Sequence, residues 1–290
     1  LKIYVAEQAG FCFGVKRAYN LAEEAAKEKK ESVYTLGPLI HNPQAVERLK
    51  NSGVEVVEDT ENALAGTLIV RSHGAPPSVF KKAQSLGINL IDATCPFVKK
   101  AQKCAQQLER EGYEVLVVGE KEHPEVKSIV GHLEHSAKVV GSVEELSTWE
   151  IPRKVGIVAQ TTQSMANFSK ILAVMLEKAH EIKIFNTICN STINRIESAR
   201  KLAEKVEVML VVGGKNSANT TRLAQVVKEV LTESYHIEIP EEIDPRWLEG
   251  KERVGISAGA STPEWIISAV ISHLQALAGT KDEEVFLLRK

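Results

Sequence analysis

Four cysteines stand in the sequence, Cys12, Cys95, Cys104 and Cys189, and no two are spaced as CxxC. The usual zinc-finger and ferredoxin spacings are therefore absent, and disulfides are not expected of a chain that reads as cytosolic. Three of the four share a context. Cys12 follows the apolar run 2–6, Cys95 follows 88–91 and Cys189 follows 182–186, and each is succeeded by a stretch with helical spacing. A thiol at a strand-to-helix turn meets the amides and dipole of a helix start, which favour the thiolate. Three thiolates recurring in this way point to a single metal centre. Three protein ligands leave a tetrahedral ion one open position, which is how catalytic metal sites differ from structural ones. Zinc satisfies this, and so does an iron–sulfur cluster with one iron lacking a cysteine; the residues alone do not separate the two. Cys104 lies instead on the stripe Phe97, Ala101, Cys104, Ala105, Leu108 and is expected in the core.

Other polar residues keep step with the cysteines. Gly37, Gly119 and Gly213 each end a run of strand character, and His41, His123 and Ser217 stand four residues beyond them. These three lie 29, 28 and 28 residues after Cys12, Cys95 and Cys189. A third landmark follows a later strand: Ser72-His73-Gly74, Thr161-Thr162-Gln163 and Ala260-Ser261-Thr262. His41, His73 and His123 precede helix starts marked by Pro43, Pro76-Pro77 and Pro124, where helix amides and donor side chains suit an anion such as phosphate. Ser217, Asn219, Thr161 and Ser261 add uncharged donors, although such residues also serve as ordinary helix caps. Glu125 is the only carboxylate at a polar landmark. It is the candidate proton donor, a role that requires burial or a nearby anion to raise its pKa toward neutrality.

These residues must be positioned by a repeating framework. Twelve strands are expected, at 2–6, 33–36, 54–57, 67–71, 88–91, 114–118, 137–140, 155–159, 182–186, 206–212, 235–239 and 253–257, with helical stretches between most of them. The pattern is that of an α/β protein with three pseudo-repeated lobes, each a four-stranded, mostly parallel sheet flanked by helices, arranged around a central metal site. The third repeat lacks a strand, which the N-terminal strand 2–6 should supply. The expected lobes are 13–95, 96–188, and 189–279 with 1–12, followed by a tail, 280–290. The formal net charge of −2, from 36 Lys and Arg against 38 Asp and Glu, gives no general case for gripping nucleic acid or an anionic membrane. No apolar run approaches the roughly 20 residues of a spanning helix, and the N-terminus lacks a signal-peptide pattern, so a cytoplasmic chain is expected.

Ordered motifs then carry a resemblance. Ala9-Gly-Phe-Cys-Phe-Gly-Val15, Gly37-Pro-Leu-Ile-His-Asn-Pro43, Ile69-Val-Arg-Ser-His-Gly-Ala75, Asp92-Ala-Thr-Cys-Pro96 and Glu122-His-Pro-Glu-Val126 come first. Ala159-Gln-Thr-Thr162, Asn186-Thr-Ile-Cys189, Lys215-Asn-Ser217 and Ala258-Gly-Ala-Ser261 follow. From about residue 3 to residue 275 the chain resembles the 4-hydroxy-3-methylbut-2-enyl diphosphate reductases, the last enzymes of the non-mevalonate isoprenoid route. The resemblance implies a 4Fe-4S cluster held by Cys12, Cys95 and Cys189 with its fourth iron open. It implies that His41, His73, Ser217, Asn219 and Ser261 hold the diphosphate with help from His123. Glu125 would deliver protons, with Thr161 relaying them or touching the substrate hydroxyl. Electrons would come from a ferredoxin or flavodoxin, since no GxGxxG nucleotide fingerprint follows a strand. Two positions depart from the family: Ala218 stands where a second serine is common, and Ile196 where a glutamine is common after Thr192-x-x-Arg195. Two other readings of the residues remain beside this one, a zinc hydrolase with Glu125 as base and a binding module for a small diphosphate with structural thiols.

Overall fold

Short β-branched runs alternating with amphipathic segments build three separate sheets in a computed structural model of the chain, which describes residues 1–28, 31–63, 66–279 and 285–287. The first sheet joins β2 (Ser32–Leu36), β3 (Val54–Val57), β4 (Gly66–Val70) and β5 (Asn89–Asp92) in the order β3-β2-β4-β5. The second joins β6 (Glu114–Val118), β7 (Lys138–Val140), β8 (Lys154–Ala159) and β9 (Glu181–Ile184) in the order β7-β6-β8-β9. The third contains β10 (Val208–Val212), β11 (Ser234–Ile237), β12 (Arg253–Ala258) and the N-terminal β1 (Lys2–Val5), in the order β11-β10-β12-β1. All three orders are the same, second-first-third-fourth, and every strand pair is parallel. The N-terminal strand takes the fourth position of the third sheet, Tyr4 opposite Gly255, as the repeat required.

The third sheet also has a strand that the repeat did not foresee. β13 (Val285–Leu287) pairs in parallel with β1, Tyr4 opposite Phe286, and the two rings stack with centroids 5.2 Å apart. This sheet therefore has five strands rather than four. Of the tail 280–290, only these three residues are among those described.

Parallel strands need crossover helices, and these cover the sheets. In β10, Val208, Leu210 and Val212 face one way and pack with Ile266, Ile267, Val270 and Leu274 of α9 (Glu264–Ala278). The alternate residues Met209 and Val211 face α7 (Asn190–Ala203) and α8 (Ala218–Val230), meeting Leu202, Leu223 and Val227. In the second sheet, Val115, Val117 and Val158 meet Ala101, Cys104, Ala105 and Leu108 of α4 (Pro96–Arg110) and Val126 and Ile129 of α5 (Pro124–Val130). In the first sheet, Leu68 packs with Ala83 of α3 (Pro77–Ser85). Cys104 is in the core, and burial pushes its thiol pKa up. Phe97, expected on the same stripe, is 41% exposed, because it sits at the first turn of α4 where the helix emerges from the sheet.

The chain divides into two compact units. One comprises Leu1–Lys16, Ile40–Arg48 and Asn190–Lys290 and carries the third sheet; the other comprises Arg17–Leu39 and Leu49–Cys189 and carries the first and second. Among the described residues, no helix is long and apolar enough to cross a membrane.

Candidate metal centre and active site

The strand order decides where each polar turn lies. In the first sheet β2 leads to β3 on one side, whereas β4 leads to β5 on the other, so the connections part between these adjacent strands. Open parallel sheets bind ligands in the crevice at such a switch point, outside the carboxyl ends of the strands. The turns after β2 and β4 carry His41 and His73; those after β6 and β8 carry His123 and Thr161; those after β10 and β12 carry Ser217 and Ser261. The cysteines follow the fourth strands, β5, β9 and β1.

The backbone of these turns repeats as well. Gly37, Gly119 and Gly213 donate their amides to Val57, Val140 and Ile237, at 2.8, 2.9 and 2.9 Å. The Cys12 amide donates to the Ala260 carbonyl at 3.1 Å, that of Cys95 to Ser72 at 2.9 Å, and that of Cys189 to Thr161 at 2.8 Å. Each acceptor is the first residue of the third landmark in its own sheet. Each thiol is half-buried, free of any disulfide, and immediately precedes a helix: α1 (Phe13–Glu28), α4 or α7. Three soft sulfur donors in equivalent backbone settings are the residues whose chemistry suits a metal.

In the second unit, α5 begins at the turn after β6. His123 is its N-cap and Pro124 its first residue; the His123 Nδ1 accepts the Glu125 amide at 3.1 Å. Nδ1 is thus an acceptor, so the ring's donor position is Nε2. Glu125 is 1% exposed. Its carboxylate accepts the Thr161 amide at 2.6 Å and the Thr161 hydroxyl at 2.9 Å. Burial raises the Glu125 pKa from its ordinary 4.5 to about 7, against the opposing pull of the two Thr161 donors. Because the Thr161 carbonyl also holds the Cys189 amide, one residue ties the acid to a cysteine turn. The His73 and His123 rings meet edge to face, centroids 5.3 Å apart, and their nitrogens lie within 4.8 Å. That spacing lets the pair address one metal ion or one anion.

Within the first unit, the Ser261 hydroxyl donates to the His41 carbonyl at 3.0 Å, joining the turn after β12 to the segment before α2 (Pro43–Asn51). Ser217 caps α8 by accepting the Thr220 amide at 3.4 Å, and Asn219 lies half-buried in the first turn of that helix. The side chain of Ala218 lies outside the described residues. Pro263 is the N-cap of α9, so Ser261 and Thr262 do not cap this helix, and the Thr262 hydroxyl donates to Val212 O at 2.9 Å.

Residues 3–275 match the family model described as LytB protein. The chain belongs to the LytB family. It is 48% identical over 281 residues to the 4-hydroxy-3-methylbut-2-enyl diphosphate reductase of Geobacter sulfurreducens (strain ATCC 51573 / DSM 12127 / PCA), spanning 97% of this chain and 99% of the relative. It is 50% identical over 278 residues to that of Aquifex aeolicus (strain VF5), spanning 95% and 96%. A solved structure of (E)-4-hydroxy-3-methyl-but-2-enyl diphosphate reductase, the terminal enzyme of the non-mevalonate pathway, superposes with a TM-score of 0.77. It is 49% identical, with 95% of this chain and 100% of that chain covered. A structure of the E-1-hydroxy-2-methyl-but-2-enyl-4-diphosphate reductase from Plasmodium falciparum gives a TM-score of 0.89 at 26% identity, covering 99% of this chain and 90% of that chain.

In this LytB chain the structure joins Glu125 to Thr161, His73 to His123, and Ser261 to the His41 backbone. It adds three groups whose contacts the motifs did not reveal. Arg195 is buried, and its guanidinium donates to the carbonyls of Gln8 and, at 2.7 Å, Ala258, fixing the loop that leads to Cys12. Asn42, rather than His41, caps α2 through its Oδ1 on the Ala45 amide at 2.9 Å; the Asn-Pro dipeptide before that helix carried this signal. Asp92, three residues before Cys95, accepts the Thr94 amide at 3.0 Å and the Lys99 ammonium at 2.5 Å. Burial works against its charge, but Lys99 and Thr94 outweigh it and hold the carboxyl below the ordinary aspartate range.

Proposed function

We infer that the chain is a 4-hydroxy-3-methylbut-2-enyl diphosphate reductase. It removes the substrate's terminal hydroxyl with two electrons and two protons and yields isopentenyl and dimethylallyl diphosphate. The observation that carries this reading is the match to reductases at 48% to 50% identity across nearly the whole length of both chains. Cys12, Cys95 and Cys189 would hold one 4Fe-4S cluster; their equivalent turns and soft donors support that assignment. When bound, such a cluster supplies electrons one at a time and a Lewis-acidic iron for a poor leaving group. A ferredoxin or flavodoxin would be the reductant. The three lobes, 13–95, 96–188, and 189–279 with 1–12, would set the cysteine turns and switch-point crevices about a common centre.

The remaining steps belong to side chains. His41, His73, His123, Ser217, Asn219 and Ser261 would bind the diphosphate through side-chain donors and helix starts, which suits a chain with little net charge. Glu125 would hold the proton. With a pKa of about 7 it is half protonated at neutral pH, the condition for an efficient general acid. Thr161, bonded through both its amide and its hydroxyl, orients that carboxyl and would pass the proton to the departing hydroxyl. Anaerobic incubation with the substrate and dithionite tests the reading. Both isopentenyl and dimethylallyl diphosphate should appear by mass spectrometry and NMR; an iron-loaded preparation that leaves the substrate unconsumed overturns it.

A further inference from the structure

We propose that the exposed face of α4 is the docking surface for the electron donor, a small acidic one-electron carrier protein. This rests on the iron–sulfur reading of Cys95 and names the partner of that site. Cys95 is the N-cap of α4, and Pro96 and Phe97 follow it. Val98, Ala101, Gln102, Cys104, Ala105 and Leu108 are buried, whereas Phe97 turns a large ring to solvent. Behind it come Lys99, Lys100 and Lys103, and the first turn contains no acidic residue. Lys99 closes the first turn, where a cation opposes the backbone dipole, so its placement runs against the helix's own preference. Lys99 is answered by Asp92, but Lys100 and Lys103 are exposed and make no ion pair among the described residues. Lys99 and Lys103 also border a half-open groove of about 250 Å³ that Phe80, Gln106 and His132 help to line.

An exposed aromatic ring edged by unpaired lysines, beginning two residues from a thiolate ligand, suits a transient redox encounter. Such interfaces are small, and complementary charge supplies their speed and orientation rather than tight binding. The whole chain, at a net charge of −2, does not draw an acidic protein by bulk attraction, so a local basic patch has to do it. In each encounter the carrier loses one electron and the centre behind Cys95 gains one. Two encounters and two protons break the substrate's C–O bond, form a C–H bond and release water.

The reconstituted holoenzyme tests this with a small acidic [2Fe–2S] ferredoxin as probe. In Lys100→Glu/Lys103→Glu, and more mildly in Lys100→Gln/Lys103→Gln, calorimetric Kd and KM for ferredoxin should rise, by about tenfold in the reversed pair, with a flatter salt dependence. Phe97→Ala should weaken binding without changing the salt dependence. Dithionite-driven kcat and the reduction midpoint of the centre should stay at wild-type values. Unchanged ferredoxin Kd and KM overturn the proposal. So does a shifted midpoint with unchanged Kd, which assigns the lysines to tuning the centre. If the reversed pair folds poorly, the neutral pair is judged by the same criteria. A wild-type chain that assembles no iron–sulfur centre defeats the parent reading instead, and a loaded wild type that accepts dithionite electrons but never binds ferredoxin defeats only the docking surface.

Discussion

Replacing Glu125 by Gln removes a titration whose size follows from the burial of this side chain. In the folded protein the carboxyl keeps its proton to about pH 7, whereas the unfolded chain releases it near 4.5. The folded state therefore binds the extra proton throughout that window, and stability must fall as pH rises through it. The contribution is whole below the unfolded pKa and is lost as pH rises through the folded one. At about 1.4 kcal/mol per pH unit, the shift is worth about 3 kcal/mol. Glu125→Gln has the same shape and no proton to lose. Its urea-unfolding free energy should gain on wild type by about 3 kcal/mol between about pH 5 and about pH 8. Turnover of the loaded variant should drop by about 10²-fold or more, with substrate affinity retained, as expected when a general acid is removed. Parallel stability curves for the two proteins over this range would refute the buried, proton-holding carboxyl, and full activity would remove Glu125 from the mechanism.

Thr161→Val deletes the hydroxyl that donates to Glu125 but keeps the amide donor. Because that hydroxyl favours the ionised carboxyl, the alkaline limb of the kcat profile should move to higher pH; a move to lower pH contradicts the assigned bond. Gly74→Ala forces a side chain onto a backbone at φ +76°, with its Cβ 2.7 Å from Ser128 Oγ and 2.8 Å from Gln102 Nε2. It should cost about 1–3 kcal/mol in urea unfolding, and a neutral result means the turn holding His73 yields freely. Cys104→Ser should leave the iron content unchanged while destabilising the α4 core by about 1 kcal/mol; a loss of iron would make Cys104 a ligand.

The framework was legible because the sequence repeats it. Cysteine, glycine and polar landmarks recur at nearly constant offsets, and the missing fourth strand of the last repeat pointed to β1, which now lies beside β12. Period-two burial in β10, with Val208, Leu210 and Val212 on one face and Met209 and Val211 on the other, comes from residues apolar throughout, so position on the chain alone did not separate the faces. What the pattern did not carry were contacts between distant segments. Glu125 and Thr161 are 36 residues apart and meet only because β6 and β8 are neighbours. Arg195 reads as a surface cation until Gln8 and Ala258 are brought around it. β13 is a strand of only three residues, Val285–Leu287, beyond the glycine that ends α9, and its partner is the first strand of the chain. Phe97 shares the helical stripe of Cys104 yet is exposed, because periodicity ignores where a helix leaves its sheet.

The central claim is that Cys12, Cys95 and Cys189, and not Cys104, hold a cluster with one open iron. Anaerobically prepared protein should contain about four iron and four sulfide per chain, with one iron spectroscopically distinct by Mössbauer and changed by added substrate. Serine at any one of the three positions should abolish that spectrum. Zinc without sulfide in the wild type, or an intact cluster in any of those three variants, would contradict it.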